Sequence, residues 1–183
     1  MRIVLLGASG NAGREIARLL TPGLTADDEV VLAGRNKDRI AATAAQPSGP
    51  ATVRVEIVDA EDDASVRRLV AGAGLVIVTA SVPHRIPVLA RIVAEAGADW
   101  YDTLLSSRTK LAALRELEPL LRSSGLCFVT DGGFHPGLPA AMVRWTARRI
   151  DALETAVVYG TTLLDVDQQS EPDRAAPHDC RDP

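Results

Sequence analysis

Gly7, Gly10 and Gly13 recur at three-residue spacing in the stretch Gly7-Ala8-Ser9-Gly10-Asn11-Ala12-Gly13. Glycines so placed allow a tight turn and let a bound molecule approach the backbone closely. Ahead of them Ile3–Leu6 is continuously apolar, as in a strand buried on both faces. Behind them Gly13, Ile16, Ala17 and Leu20 repeat at helical spacing. A strand, a glycine turn and a helix start form a phosphate cradle. The first helical N–H groups lack intrahelical acceptors, and the helix dipole is positive there. The chemistry indicated is the binding of a dinucleotide pyrophosphate. The plainer alternative is a glycine-rich turn in an α/β protein that binds nothing.

In dinucleotide-binding domains an acid about 20 residues past the glycines bonds the ribose 2′-OH. That place reads Ala33-Gly34-Arg35-Asn36-Lys37, without an acid. Arg35 suits a forked contact to a 2′-phosphate and lies flat against adenine, with Lys37 adding charge. NADP is therefore favoured over NAD; otherwise Arg35 merely caps a surface turn. Asp59 ends the alternating strand Thr52–Val58 and either accepts the adenine amino group or caps the next helix, Glu61–Ala71. Ala80, Ser81 and Val82 follow the apolar run Leu75–Thr79. Ligands of a doubly wound sheet lie beyond the carboxyl ends of its strands, which puts this loop beside the nicotinamide ribose.

Three side chains are candidates for moving a proton. His84 sits near that mouth, and histidine exchanges a proton near neutrality; the bland alternative is a solvated loop residue. Trp100, Tyr101 and Asp102 lie together in Asp99–Thr103. They line a substrate pocket, or the aromatics pack at the sheet edge while Asp102 caps a turn. His135 lies in Asp131–Pro139, where Gly132, Gly133, Pro136, Gly137 and Pro139 make a rigid, tightly turned loop. Backbone N–H groups there are placed to meet nicotinamide or substrate; as structure alone the loop is a strand-to-helix turn.

The elements that position these residues read as alternating strands and helices. Further strands are expected at Glu29–Ala33 and Leu126–Thr130, and a helix at Lys37–Ala45. Another helix buries Ile86, Leu89, Ala90 and Val93 and stops at Gly97. Thr109–Ser124 is helical with Leu111, Leu114, Leu117 and Leu121 inside, and Pro119 should kink or split it. Leu138–Ile150 is the last helix. The pattern is α/β: a doubly wound, mostly parallel sheet of about six strands with helices on both faces. Residues 1–150 form the NAD(P)-binding domain. Residues 151–164 read as one more strand, the start of a second domain. Residues 165–183, with six acids, three prolines and little apolar, read as disordered.

The 183 residues are 46% hydrophobic, ample for a core. A net charge of −4 with both signs interspersed argues against nucleic acid or an anionic membrane as partner. No apolar run reaches the roughly 20 residues of a membrane span, and no signal peptide precedes the first strand. Cys127 and Cys180 make neither a disulfide framework nor a metal cluster, so no metal is expected and the cytoplasm is the default compartment.

GASGNAG at Gly7–Gly13, AGR at Ala33–Arg35, YD at Tyr101–Asp102 and GGFHPGLP at Gly132–Pro139 together resemble the saccharopine dehydrogenase-like family. The last piece is similar to its G-x-x-P-G-L signature. The resemblance covers about Met1–Ile150, the family's NADP-binding domain. It implies a cytoplasmic NADP-linked oxidoreductase, often a homodimer. Members act on small molecules, amino acids or polyamine precursors, by reducing or oxidising a C–N bond. It also implies cofactor contacts at Gly7, Ser9, Gly10, Asn11, Gly13, Arg35 and the Ala80–Val82 loop. Where the family continues threonine-glycine-glutamate after Tyr-Asp, this chain has Thr103-Leu104-Leu105-Ser106. Family members also carry a sizeable second domain, so the chain resembles a cofactor domain cut short. Two functions follow. One is NADP-dependent hydride transfer to or from a small amino-acid-like, imine or carbonyl substrate. The other is a non-catalytic NADP-binding module, a sensor or a remnant without a substrate site.

Overall fold

Apolar runs bounded by turns become the strands of one parallel sheet in the computed structural model, which describes residues 1–46, 49–134 and 137–159. The strands are β1 (Arg2–Leu6), β2 (Glu29–Gly34), β3 (Thr52–Ile57), β4 (Leu75–Val78), β5 (Asp99–Asp102) and β6 (Phe128–Val129). Their order is β3-β2-β1-β4-β5-β6, and every neighbouring pair is parallel. The helices are α1 (Asn11–Leu20), α2 (Lys37–Ala44), α3 (Asp63–Val70), α4 (Ile86–Glu95), α5 (Arg108–Ser124) and α6 (Gly137–Ala147). This is the expected doubly wound α/β fold.

The continuous apolar runs have a two-sided cause. In β1, Ile3 and Leu5 join Val30, Leu32 and Ile77 on the face covered by Ala17 of α1 and Ile40 of α2. Val4 and Leu6 join Val31, Ala33, Val76 and Val78 on the other face, against Val66 and Leu69 of α3 and Leu89 and Val93 of α4. Alternate side chains of a strand point to opposite faces, so a strand buried on both sides must be apolar throughout. At the amino end of the sheet Arg2 gathers the elements. Its guanidinium donates to Glu29 at 3.0 Å and to the Leu69 and Ala71 carbonyls at 2.6 and 2.9 Å.

Several expectations need correction. Helix α5 is not split at Pro119, which is exposed, so the Arg115 carbonyl it leaves unbonded can reach water. Leu114, Leu117 and Leu121 of α5 pack on the core as expected, and only the first position of the stripe differs. Leu111 is exposed, and Lys110 lies inside with Leu117. Helix α3 starts at Asp63 and is capped by Asp62, not Asp59. Strand β6 is shorter than Leu126–Thr130: at the sheet edge it pairs with β5 only, through Trp100–Phe128 and Tyr101–Val129. The strand expected over residues 151–164 is not formed in its described part. Leu153–Tyr159 has no regular structure, and no ladder pairs it among the described residues.

The described residues up to Ala140 form one compact unit, and those from Ala141 to Tyr159 belong to a second. Within the second, the Arg149 guanidinium lies 3.5 Å over the Trp145 ring. Among the described residues no helix is long and apolar enough to cross a membrane.

Two measurements check this packing. Leu5→Ala, at a fully buried site, should cost about 3 kcal/mol in urea unfolding, against under about 0.5 kcal/mol for exposed Leu19→Ala. Asp28 is the acid probe. Hydrogen bonds from the amino-terminal ammonium, then from the backbone and hydroxyl of Thr25, hold its carboxyl at about 2 against an ordinary 3.8. A depressed folded value means stability present above the unfolded value and lost as pH falls through the folded one. Asp28→Asn should therefore flatten the stability curve between those two values.

Candidate functional site

Parallel strands put all their carboxyl ends on one edge, and the expected ligand contacts lie along it. The turn after β1 is held by its neighbours on both sides. Gly7 and Ala8 both donate to the Ala33 carbonyl, at 2.9 and 3.1 Å. Thr79 and Ala80 both donate to the Leu6 carbonyl, at 2.9 and 3.1 Å, and the Thr79 hydroxyl donates to the Gly7 carbonyl at 3.1 Å. From α2, buried Thr43 donates to the Ala8 carbonyl at 3.1 Å.

The three glycines do different work. Gly7 has φ +99, and a β-carbon there would collide with the Ala80 backbone nitrogen. A β-carbon on Gly13 would collide with the Gly7 carbonyl oxygen and sit 2.8 Å from Ala8 Cα. These two are required by the chain's own packing. At Gly10 the nearest atom would be the Gly7 oxygen at 3.4 Å, and the remaining space is open. Gly10 is the N-cap of α1, which has no side-chain cap, and the Arg14 N–H makes the first bond back, to Gly10, at 2.9 Å. The Asn11, Ala12 and Gly13 amides precede that bond, so the helix offers them no acceptor. Open space over unpaired donors at a positive helix end is the geometry of an anion site.

The other expected contacts fall on the same edge. Ser9 is half-buried, its Oγ 3.7 Å from where a Gly34 β-carbon would stand. Asn11 is exposed and accepts from Arg14 at 2.9 Å. Arg35 is exposed just past β2 and has no hydrogen-bond or ion-pair partner among the described residues. Asn36 beside it caps α2 by accepting from the Arg39 N–H at 3.0 Å. Asp59 is exposed and accepts from the Glu61 N–H at 3.1 Å, which stabilises a turn. In the loop after β4, Val82 donates back to Ala80 at 2.9 Å while Ser81 is exposed.

The proton-transfer candidates do not converge. The exposed ring of His84 sets Nε2 2.8 Å from Glu61 Oε1. His135 lies outside the described residues. Asp102 is fully buried and saturated. Trp100 Nε1 and Thr130 Oγ1 donate to its Oδ2 at 2.8 and 2.9 Å; the Leu104 N–H and Lys110 Nζ donate to its Oδ1 at 2.9 and 2.7 Å. It has no exposed surface from which to meet a substrate, and the pocket-lining alternative for it gives way to a turn cap. Trp100 is likewise buried, stacked on Phe128 with ring centroids 5.9 Å apart. Tyr101 donates its hydroxyl to the Gly132 carbonyl. An apolar groove of about 360 Å³ is lined by Ile16, Leu75, Ile77, Tyr101, Cys127 and Val129 among others; neither Gly10, Arg35 nor Ala80–Val82 lines it.

Sequence reasoning missed Lys110, Asp131 and Ser106. Lys110 touches Asp102 and lies 3.7 Å from Asp131 Oδ1, and the Ser106 hydroxyl donates to Asp131 Oδ2. One signal was present: Lys110 stands seven residues before Leu117, on the same helical face.

A family model, the saccharopine dehydrogenase NADP binding domain, matches residues 3–127. No curated protein matches the chain. Among solved structures, apo saccharopine dehydrogenase (L-Glu forming) from Saccharomyces cerevisiae superposes with a TM-score of 0.65 at 22% identity, over 81% of this chain and 31% of that one. A short-chain type dehydrogenase/reductase from Mycobacterium ulcerans gives 0.51 at 16% identity, over 68% and 64%. Triphenylmethane reductase from Citrobacter sp. gives 0.50 at 17%, over 71% and 48%. At these identities the structures establish a shared fold, and the chain spans less than a third of the yeast enzyme's length.

The glycine assignments separate in a stability experiment. Gly13→Ala should destabilise by about 1–3 kcal/mol through overpacking, while Gly10→Ala, with room for its methyl, should stay within about 1 kcal/mol of wild type. Equal losses in urea unfolding would remove the distinction.

Proposed function

Because the chain belongs to the saccharopine dehydrogenase NADP-binding domain family, we propose that it holds NADP(H) along the carboxyl edge of its sheet and serves as an oxidoreductase. The observation that carries this is the opening at Gly10. The outer glycines of the turn are taken up by the chain's own backbone, and the middle one leaves space above amides the helix cannot satisfy. A pyrophosphate fits both the shape and the charge of that place. Gly7 and Gly13 shape the turn, while Ser9 and Asn11 flank the opening. Arg35 takes the 2′-phosphate, since its guanidinium is exposed and uncommitted among the described residues and no acid stands there to repel it. This favours NADP over NAD. Asp59, with one oxygen held by Glu61, keeps the other for the adenine amino group. Ala80, Ser81 and Val82 border the nicotinamide ribose.

The bound cofactor supplies or accepts a hydride at nicotinamide C4, and the reaction partner is a small amino-acid-like, imine or carbonyl compound. The chain's own work is orientation: the paired bonds from Gly7, Ala8, Thr79 and Ala80 hold the cradle rigid. For proton transfer the residues left are His84, oriented by Glu61, and His135.

One observation supports a second reading, a cofactor-binding module without a substrate site. The apolar groove does not touch the residues assigned to the cofactor.

Calorimetric titration tests both. Wild type should bind NADPH at least about tenfold tighter than NADH. Arg35→Ala should weaken NADPH by about tenfold to a hundredfold, the worth of a charged hydrogen bond of about 1.5–3 kcal/mol, and leave NADH unchanged. Equal affinities for the two would sink the assignment of Arg35. NADPH consumption across an amino-acid, imine and ketone panel separates enzyme from binding module.

A further inference from the structure

Lys110 lies in the first turn of α5 with its side chain 3% exposed. Its ammonium donates to Asp102 Oδ1 at 2.7 Å and to the Leu104 carbonyl at 2.5 Å, and stands 3.7 Å from Asp131 Oδ1. One side chain thus reaches the end of β5, the loop after β5 and the loop after β6. Burying an ammonium is expensive, and an apolar residue of similar volume usually serves a fold as well or better. Three donors on one atom do what an apolar side chain cannot: they bond acceptors on separate loops at once.

Asp131 shows that the second loop is under constraint. It has φ +58, a left-handed backbone uncommon outside glycine, though aspartate enters it more readily than most residues. Its Oδ1 is buried without a hydrogen bond, so Lys110 is the cation nearest to satisfying it. Asp102 adds a direct tie between the loops, since its carbonyl accepts from the Gly132 N–H at 2.9 Å and its carboxylate from Thr130 and Leu104.

We propose that Lys110 is a positioning residue: through Asp102, the Leu104 carbonyl and Asp131 it sets the placement of Thr103–Ser106 against Thr130–Gly133, the two loops on the substrate side of the sheet's carboxyl edge. That these loops face the substrate rests on the cofactor reading above; that Lys110 fixes them does not.

The test is amide exchange by NMR on the full chain, wild type against Lys110→Met. The reporters are Leu104 and Gly132, which donate to Asp102. The references are Val31 and Ile77 in the core strands. Exchange at Leu104 and Gly132 should rise at least about tenfold while the references stay within about threefold, because local opening is separable from global unfolding. The Trp100 indole N–H resonance, which reports the bond to Asp102, should shift; of the two tryptophans, it is assigned by Trp145→Phe. Equal acceleration of loops and core, or none, overturns the proposal. If Lys110→Met does not fold, Lys110→Gln, which keeps donors but not the charge, takes its place; if neither folds, the role is in the fold and the proposal fails. With NADPH added, affinity should hold within about threefold while nicotinamide emission changes. Unchanged emission with loosened loops overturns the substrate-side placement. A wild type that binds no NADPH overturns the cofactor reading alone.

Discussion

The close approach of Gly7 to the Ala80 backbone governs the carboxyl edge of this sheet. The chain crosses to one side after β1 and to the other after β3, so β1 and β4 are neighbours whose exits diverge. Their ends must separate enough to leave a crevice, yet stay bonded. The structure meets both demands mainly with backbone, helped by the Thr79 hydroxyl on the Gly7 carbonyl. The Thr79 and Ala80 N–H groups share the Leu6 carbonyl, the Gly7 and Ala8 N–H groups share the Ala33 carbonyl of β2, and Gly7 lacks the β-carbon that would force β1 and β4 apart. The cradle at Gly10 and the loop from Ala80 to Val82 inherit their positions from that contact.

Buried charge is handled differently at the sheet's two ends. At the amino end Arg2 stays partly exposed and spreads its donors over Glu29 and two carbonyls at the end of α3. At the carboxyl end Asp102 and Lys110 are almost wholly enclosed, and four donors from nearby bond the Asp102 carboxylate. Such pairs contribute little to stability relative to apolar packing, but they define geometry tightly because few arrangements satisfy them. Backbone bonding shapes the half of the edge around Gly7 and Gly10; a side-chain ion cluster shapes the half around Asp102.

Legibility in the sequence followed the range of the interactions. Strand–turn–helix order, the glycine turn and the absence of an acid at Arg35 are local, and each was readable from spacing alone. The cap of α3 was missed by three residues because Asp59 and Asp62 are equally good acceptors and only the turn between them decides which one caps. Pro119 looked like a break because propensity counts the lost bond. It does not know that the position faces water.

Period and polarity therefore determined, from the sequence by itself, the α/β class, a mostly parallel sheet of about six strands and the place of the glycine turn between β1 and α1. Tertiary structure alone decided which residue opens the buried stripe of α5. Leu111 and Lys110 both fit a helical stripe, and hydrophobicity favours Leu111. Lysine goes inside only because Asp102, Leu104 and Asp131, from distant turns, together solvate its ammonium. That compensation is non-local, since no window of sequence holds all its members. The same fact withdrew Asp102 from the candidate catalytic set: its chemistry depends on partners brought from β5, α5 and the end of β6, and they use all of it.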